Sequence, residues 1–327
     1  MNDTIDFTAF LEQYAFQAPC EVEHRESGMN NTTRMISSGM KRYVLRIYNN
    51  HKDANIVRLE HEVLAELQKQ ELPFQVPVPV RNKQGDTVCI ANDGTLSALF
   101  HYIDGDRLSA ANAAHISALG KTAALLTIAL SEIEPIQKPL YSPYFSLEGT
   151  YMSMDGTTFL GMAERSPSLA ARRSSLIELQ EERQNLKGEY DAIARLPQQW
   201  IHGDLVFNNT VSQGEKIIGV LDFEFSTVDV RAMELAVIAV DLIKSDDPLC
   251  IANVKLLLEG YRQSFQLTEQ ELEKLPSLMK LRLLDVALHF ASRFRDGLDG
   301  EDVLCGIIDQ SAFGCKWLNE HWEDVKV

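Results

Sequence analysis

Two neighbouring segments, Trp200-Ile-His-Gly-Asp-Leu-Val-Phe-Asn-Asn-Thr-Val211 and Leu221-Asp-Phe-Glu224, constrain this chain more tightly than anything else in it. Residues 210–212 and 216–221 are short β-prone runs around Gln213-Gly214-Glu215, which predicts a hairpin. Closing that hairpin brings Asp222 back beside Asn209, with Asp204 shortly upstream. This residue set suits phosphoryl transfer, in which one Asp orients an attacking hydroxyl and accepts its proton while metal ions neutralise phosphate charge. Asp204 fits the first task. Asn209 and Asp222 fit the second, because Mg2+ takes a few carboxylate or amide oxygens together with the phosphates of its substrate. Taken singly, each acid reads as an ordinary loop or cap residue; their joint spacing favours the chemical reading.

His202-Gly-Asp204 with Asn209, followed by Asp222-Phe-Glu224, departs from the protein-kinase pattern H-R-D, Asn, D-F-G. The H-G-D form resembles the aminoglycoside phosphotransferase and choline kinase branch of small-molecule kinases. Ser226-Thr-Val-Asp-Val-Arg-Ala-Met-Glu-Leu-Ala236 and Ala287-Leu-His-Phe-Ala-Ser-Arg-Phe294 look most like bacterial type II homoserine kinases. The resemblance extends over most of the chain, but only the stretch 200–225 is specific. It implies an α+β, bilobal protein-kinase-like fold, with a β-rich nucleotide-binding lobe over 1–103 and a helical catalytic and substrate lobe over 104–327.

The resemblance also implies site residues. The position matching the usual strand Lys is Arg46, in Arg42-Tyr-Val-Leu-Arg-Ile-Tyr48. Arginine keeps the charge, but its planar fork is not interchangeable with an ammonium. By family register its partner is Glu60, with Glu62 as the alternative; a solvated helix face would also account for both acids. Glu26-Ser-Gly-Met-Asn-Asn-Thr-Thr-Arg-Met-Ile36 contains a small polar turn. Such a turn serves either as a plain hairpin or as a cradle of backbone N–H groups for phosphate. The resemblance favours the cradle, with Gly28, Asn30, Asn31 and Thr32 at the nucleotide. Phe100 and Tyr102 fall at the linker between lobes, where backbone groups would meet adenine. Glu224 is a further metal or outer-sphere acid, His202 a brace of the catalytic loop, and Glu234 a scaffold acid.

Composition bounds the partners. With 31 Lys plus Arg against 47 Asp plus Glu, the net charge of −16 repels nucleic acid and anionic membrane surfaces. The five cysteines are scattered without a C-x-x-C pair, which predicts free thiols in a reducing cytoplasm. The N-terminus lacks a basic region followed by an apolar stretch, and no uncharged apolar run approaches the ~20 residues of a membrane helix.

Elsewhere the pattern predicts a short helix over 7–15, a β-run from Cys20, a helix through Leu59, Val63, Leu64 and Leu67, and strands over 87–91 and 96–102 about an Asn92-Asp-Gly94 turn. Helices follow over 115–130 and 176–196, from Glu234, and through the C-terminal part. Segment 141–175, rich in Ser, Thr, Gly and Met, reads either as a substrate-facing insertion or as a long surface loop.

Together these readings point to ATP- and Mg2+-dependent phosphorylation of a hydroxyl on a small polar molecule, homoserine or a related amino alcohol first. Aminoglycoside or choline kinase and a noncatalytic nucleotide-binding regulator are the alternatives.

Overall fold

The computed structural model describes residues 7–23, 31–49, 52–134 and 139–326. Its N-terminal part is a five-stranded antiparallel sheet built from β1 (Cys20–Glu23), β2 (Asn31–Ser38), β3 (Lys41–Tyr48), β4 (Cys89–Ile90) and β5 (Leu96–His101), in the order β1-β2-β3-β5-β4. The β2–β3 turn passes through Gly39 at φ +60°, and the β4–β5 turn through Gly94 at φ +84°, conformations that glycine adopts without steric cost. Side chains alternate across β3, and this alternation places the site. Tyr43, Leu45 and Ile47 pack with Leu11 and Tyr14 beside α1 (Phe7–Leu11), while Tyr48 joins Val57, Val63, Leu64 and Leu67 of α2 (Ala54–Leu67) on the opposite face. Arg46 lies on this second face, toward α2. Asp53 caps α2 by accepting from the Asn55 N–H at 2.9 Å, so the helix begins in register to present Glu60 to the sheet.

The remainder is mainly helical. After β6 (Asp106–Arg107) comes α3 (Ala113–Ser131), then the short helices α4 (Leu147–Thr150), α5 (Gly156–Leu160) and α6 (Pro167–Ala170), and then α7 (Arg173–Lys187) and α8 (Tyr190–Ile193). Segment 141–175 is thus a train of short helices rather than a loop. It buries Leu147, Met154, Phe159, Met162 and Leu169, the apolar residues that its weak periodicity concealed. Strand β7 (Gln198–Ile201) pairs with β10 (Thr227–Val230), and β8 (Thr210–Gln213) pairs with β9 (Lys216–Val220) in the expected hairpin, with Gly214 at φ +57°.

Helices α9 (Met233–Asp241), α10 (Cys250–Arg262), α11 (Glu269–Arg295) and α12 (Glu301–Val325) complete the chain. Helix α9 is apolar on nearly every face and lies wholly in the core. Helices α3 and α10 approach backbone to backbone because Gly120 and Gly260 meet there; a Cβ on Gly120 would stand 2.2 Å from the Leu257 carbonyl oxygen. By length and composition α3 could cross a membrane, yet it is a core helix here, packed against α10, β7 and β9. Helix α11 starts with a reciprocal capping box between Thr268 and Glu271 and runs unbroken past Pro276. The five cysteines are unpaired.

Candidate active site

Strand β7 delivers the chain into a tight bend at His202-Gly203-Asp204. Gly203 has φ +81°, and a Cβ there would lie 2.7 Å from the Phe225 carbonyl oxygen, so the bend requires glycine. The buried His202 ring ties the two motifs together. Its Nε2 lies 2.8 Å from the Leu221 carbonyl oxygen, and the Asp204 N–H donates to its Nδ1 at 3.2 Å. This pair of contacts fixes the neutral tautomer with hydrogen on Nε2. Burial lowers the His202 pKa, in keeping with that neutral form. The His202 N–H is held in turn by Glu234 at 2.6 Å, and burial pushes the Glu234 carboxyl up to about 7.

The hairpin acts as the spacing requires. The Leu221 N–H donates to the Asn209 carbonyl at 2.7 Å, setting Asp222 beside Asn209. The Asn209 side-chain NH2 donates to the Asp204 backbone oxygen at 2.9 Å and to its Oδ2 at 3.1 Å, which leaves the amide oxygen as the group's acceptor. Asp222 is the one non-glycine residue at positive φ, +68°, among those described. Such conformations cost on the order of 1–3 kcal/mol and concentrate where a side chain must be aimed.

Arg46 stands in front of Asp222, ringed by acids. Its guanidinium lies 3.2 Å from Glu60, 3.0 Å from Asp222 and 4.0 Å from Glu224. Glu60 also accepts from the Tyr48 hydroxyl at 3.0 Å, so Glu60 rather than Glu62 is the partner of Arg46. Burial raises the Glu60 carboxyl to about 7 against the pull of Arg46, and burial beside Asp222 raises that of Glu224. Three carboxyl groups thus crowd one guanidinium, and their burial and mutual repulsion favour protonation of Glu60 and Glu224.

Of the expected polar turn, Asn31 and Thr32 instead open strand β2, paired with Tyr48 and Ile47; Asn31 donates to Glu224 at 2.5 Å and Thr32 exchanges contacts with Asn49, while Gly28 and Asn30 lie outside the described residues. The Phe100 ring is buried under Arg46, 5.6 Å from its guanidinium. The Tyr102 ring lies 4.0 Å from the Arg42 guanidinium, and its N–H is already bonded to the Arg42 carbonyl at 3.1 Å. Neither ring is part of the acidic cluster around Arg46.

On the other side of Asp204 lies a cavity of about 440 Å³ whose walls include Tyr144, Tyr151, Phe225, Asp285, His289 and Phe290. Asp204 opens into it, and Arg282 of α11 donates to Asp204 Oδ1 at 2.5 Å. Arg282 also donates to the Tyr144 hydroxyl at 2.8 Å, which itself donates to the Gly203 carbonyl at 2.7 Å. The Tyr144 N–H is pinned by the buried Asp229 at 2.6 Å. Tyr144, Tyr151, Asp229, Arg282 and Asp285 escaped the sequence reading. For α11 a signal was present: Arg282, Asp285 and His289 recur at helical spacing within the otherwise apolar run 281–291 of the helix.

Asn209 and Asp222 supply hard oxygen donors of the kind Mg2+ takes, and Asp222 Oδ1 is buried without a hydrogen bond despite its ion pair with Arg46. Among the described residues no group of three or more His, Cys, Asp or Glu forms a ready metal cluster. A two-residue site completed by phosphate oxygens accords with both observations.

The model of a phosphotransferase enzyme family, APH, matches residues 21–275. Homoserine kinase of Methylobacillus glycogenes is 23% identical over 273 residues, covering 83% of this chain and 80% of the relative. Homoserine kinase of Agrobacterium fabrum is 24% identical over 277 residues, with coverage of 83% and 80%. Among solved structures, an amicoumacin kinase in complex with AMP-PNP, Ca2+ and Ami superposes with TM-score 0.72 at 16% identity, covering 95% of this chain and 93% of that one. A microcompartment-associated aminopropanol kinase gives 0.70 at 18%, covering 98% and 99%. These likenesses establish the kinase-like α+β fold, with strands in the N-terminal part and helices in the C-terminal part. The chain belongs to the APH phosphotransferase enzyme family and is a phosphotransferase.

Proposed function

We propose that the protein transfers the γ-phosphoryl group of ATP to a hydroxyl of a small amine-bearing metabolite, homoserine or a related amino alcohol. The observation that carries this reading is the position of Asp204, held by Asn209 on one side and Arg282 on the other, at the mouth of a cavity large enough for a small molecule. Homoserine kinases among the relatives and an aminopropanol kinase among the folds support the acceptor class. The structural neighbour that carries AMP-PNP and Ca2+ supports ATP and a divalent cation.

In this reading the chain divides near residue 103 into a nucleotide lobe and a catalytic lobe. Asp204 orients the acceptor hydroxyl and takes its proton. Asn209 and Asp222 would hold Mg2+, which when bound offsets phosphate charge. Arg46 contacts phosphate and is anchored by Glu60, while Glu224, bonded to Asn31, links the start of β2 to the Asp222 loop. Asn31 and Thr32, with Gly28 and Asn30, belong to the nucleotide side, and backbone groups near Phe100 and Tyr102 lie toward the base. His202 braces the catalytic loop. The test is ADP release from ATP and Mg2+ across homoserine, simple amino alcohols, choline, methylthioribose and aminoglycosides. One stimulating acceptor establishes the class, and release unaffected by any of them contradicts it.

A further inference from the structure

The charges around the acceptor cavity are unequal in a way that bears on what enters it. Arg282 is the only Lys or Arg among the described residues lining the cavity, and it is already committed to Asp204 and the Tyr144 hydroxyl. Asp285, three residues further along α11 and on the same face, has no ion pair among the described residues; its hydrogen bond comes from the Tyr151 hydroxyl at 2.8 Å. His289 also lines the cavity, and burial lowers its pKa, so it adds no charge at neutral pH. Two carboxyl groups, Asp204 and Asp285, thus share a cavity with one guanidinium, and the rings of Tyr144, Tyr151 and Phe290 line the same cavity, surfaces that suit an ammonium ion.

Resting on the phosphotransfer reading above, we infer that Asp285 and Tyr151 form an ammonium subsite, and that the preferred acceptor is an amino alcohol with one positive charge and no carboxylate. A zwitterionic hydroxy amino acid satisfies Asp285 with its ammonium but places its carboxylate in a cavity whose one cation is in use. To bind that carboxylate, Arg282 must leave Asp204 and the Tyr144 hydroxyl. A monocation pairs with Asp285 and disturbs neither contact. Burial raises the pKa of the Asp285 carboxyl, and Arg282 opposes this, so an arriving ammonium also favours the ionised form that binds it.

L-Homoserine and 3-aminopropan-1-ol differ only by the carboxylate, and 1,3-propanediol lacks the amine. Calorimetric binding of each to the full chain with AMP-PNP and Mg2+ is compared, together with ADP release when ATP replaces the analogue. Aminopropanol is expected to bind at least about tenfold more tightly than either of the others. Asp285→Asn is expected to remove that advantage through affinity and acceptor KM while AMP-PNP affinity holds, and Tyr151→Phe to weaken it less. Homoserine binding as well as aminopropanol, undiminished aminopropanol affinity in folded Asp285→Asn, or no binding of any of the three at millimolar concentration overturns the inference. Should Asp285→Asn fail to fold, the wild-type ranking and Tyr151→Phe decide. Aminopropanol binding without ADP release contradicts the phosphotransfer reading alone and leaves the ammonium subsite standing.

Discussion

The two sides of Asp204 are built on opposite plans. On the strand side, Arg46 faces Glu60, Asp222 and Glu224, a cluster in which three carboxyl groups share one cation. On the helix side, Arg282 faces Asp204 and a cavity walled by aromatic rings, with Asp285 making no ion pair among the described residues. The strand side suits a ligand that arrives with metal ions; the helix side suits a small, partly apolar one. A phosphotransferase has to place both against one carboxylate, and the His202 ring, bonded to both motif loops, keeps that carboxylate fixed relative to Asp222.

The sharpest break in this comparison is at the shared residue. Asp204→Asn keeps the shape but removes the proton acceptor, and kcat is expected to fall by about 10²–10⁴ while ATP affinity, read by calorimetry, changes little. An equal loss of ATP affinity would place Asp204 on the strand side alone.

Next comes Arg46→Met, which leaves Glu60, Asp222 and Glu224 without their cation. Breaking a buried pair from one side costs roughly 3–5 kcal/mol, so a marked fall in Tm is expected together with a raised KM for ATP. Acceptor KM should stay put, and steady-state kinetics with each substrate varied separates the two. Tyr144→Phe probes the helix side more gently. It removes the hydroxyl that steadies Arg282 and bonds Gly203, and a loss of about tenfold in kcat is expected, on the scale of one hydrogen bond of about 0.5–1.5 kcal/mol. The KM for ATP should be unmoved.

A last effect, on stability with pH rather than on rate, concerns the support beneath both sides. Burial raises the Glu234 carboxyl to about 7, above its value in the unfolded chain, so the folded protein holds a proton that the unfolded chain has released. Its stabilising contribution is complete below about pH 4.5 and is lost as pH rises through about 7. Thermal unfolding at pH 5 and pH 8 should therefore show a wild-type decline that is shallower in Glu234→Gln, by roughly 1–3 kcal/mol. Parallel declines would mean that Glu234 is ionised throughout.

The strand side was far more legible in sequence than the helix side, for a physical reason. Asp204, Asn209 and Asp222 lie within one short hairpin-bearing stretch, so local spacing alone brings them together. Arg46 and Glu60 sit on adjacent elements whose periods of 2 and 3.6 fix their facing sides. The cavity is assembled from residues far apart in the chain: Tyr144 from a run of short helices, Thr227 from β10, and Arg282 and Asp285 from α11. No local rule relates them. Segment 141–175 concealed its role because its short helices never complete enough turns to display a period, although Tyr144 and Tyr151 lie within it.

The most direct test of the account is acceptor-stimulated ADP formation from ATP and Mg2+, measured with 3-aminopropan-1-ol and homoserine on wild-type and Asp204→Asn protein side by side. Stimulation by at least one of these acceptors is expected in the wild type and its loss in the variant, with ATP still bound. Stimulation that persists in Asp204→Asn, or wild-type protein that binds ATP and acceptor together without forming ADP, would contradict it.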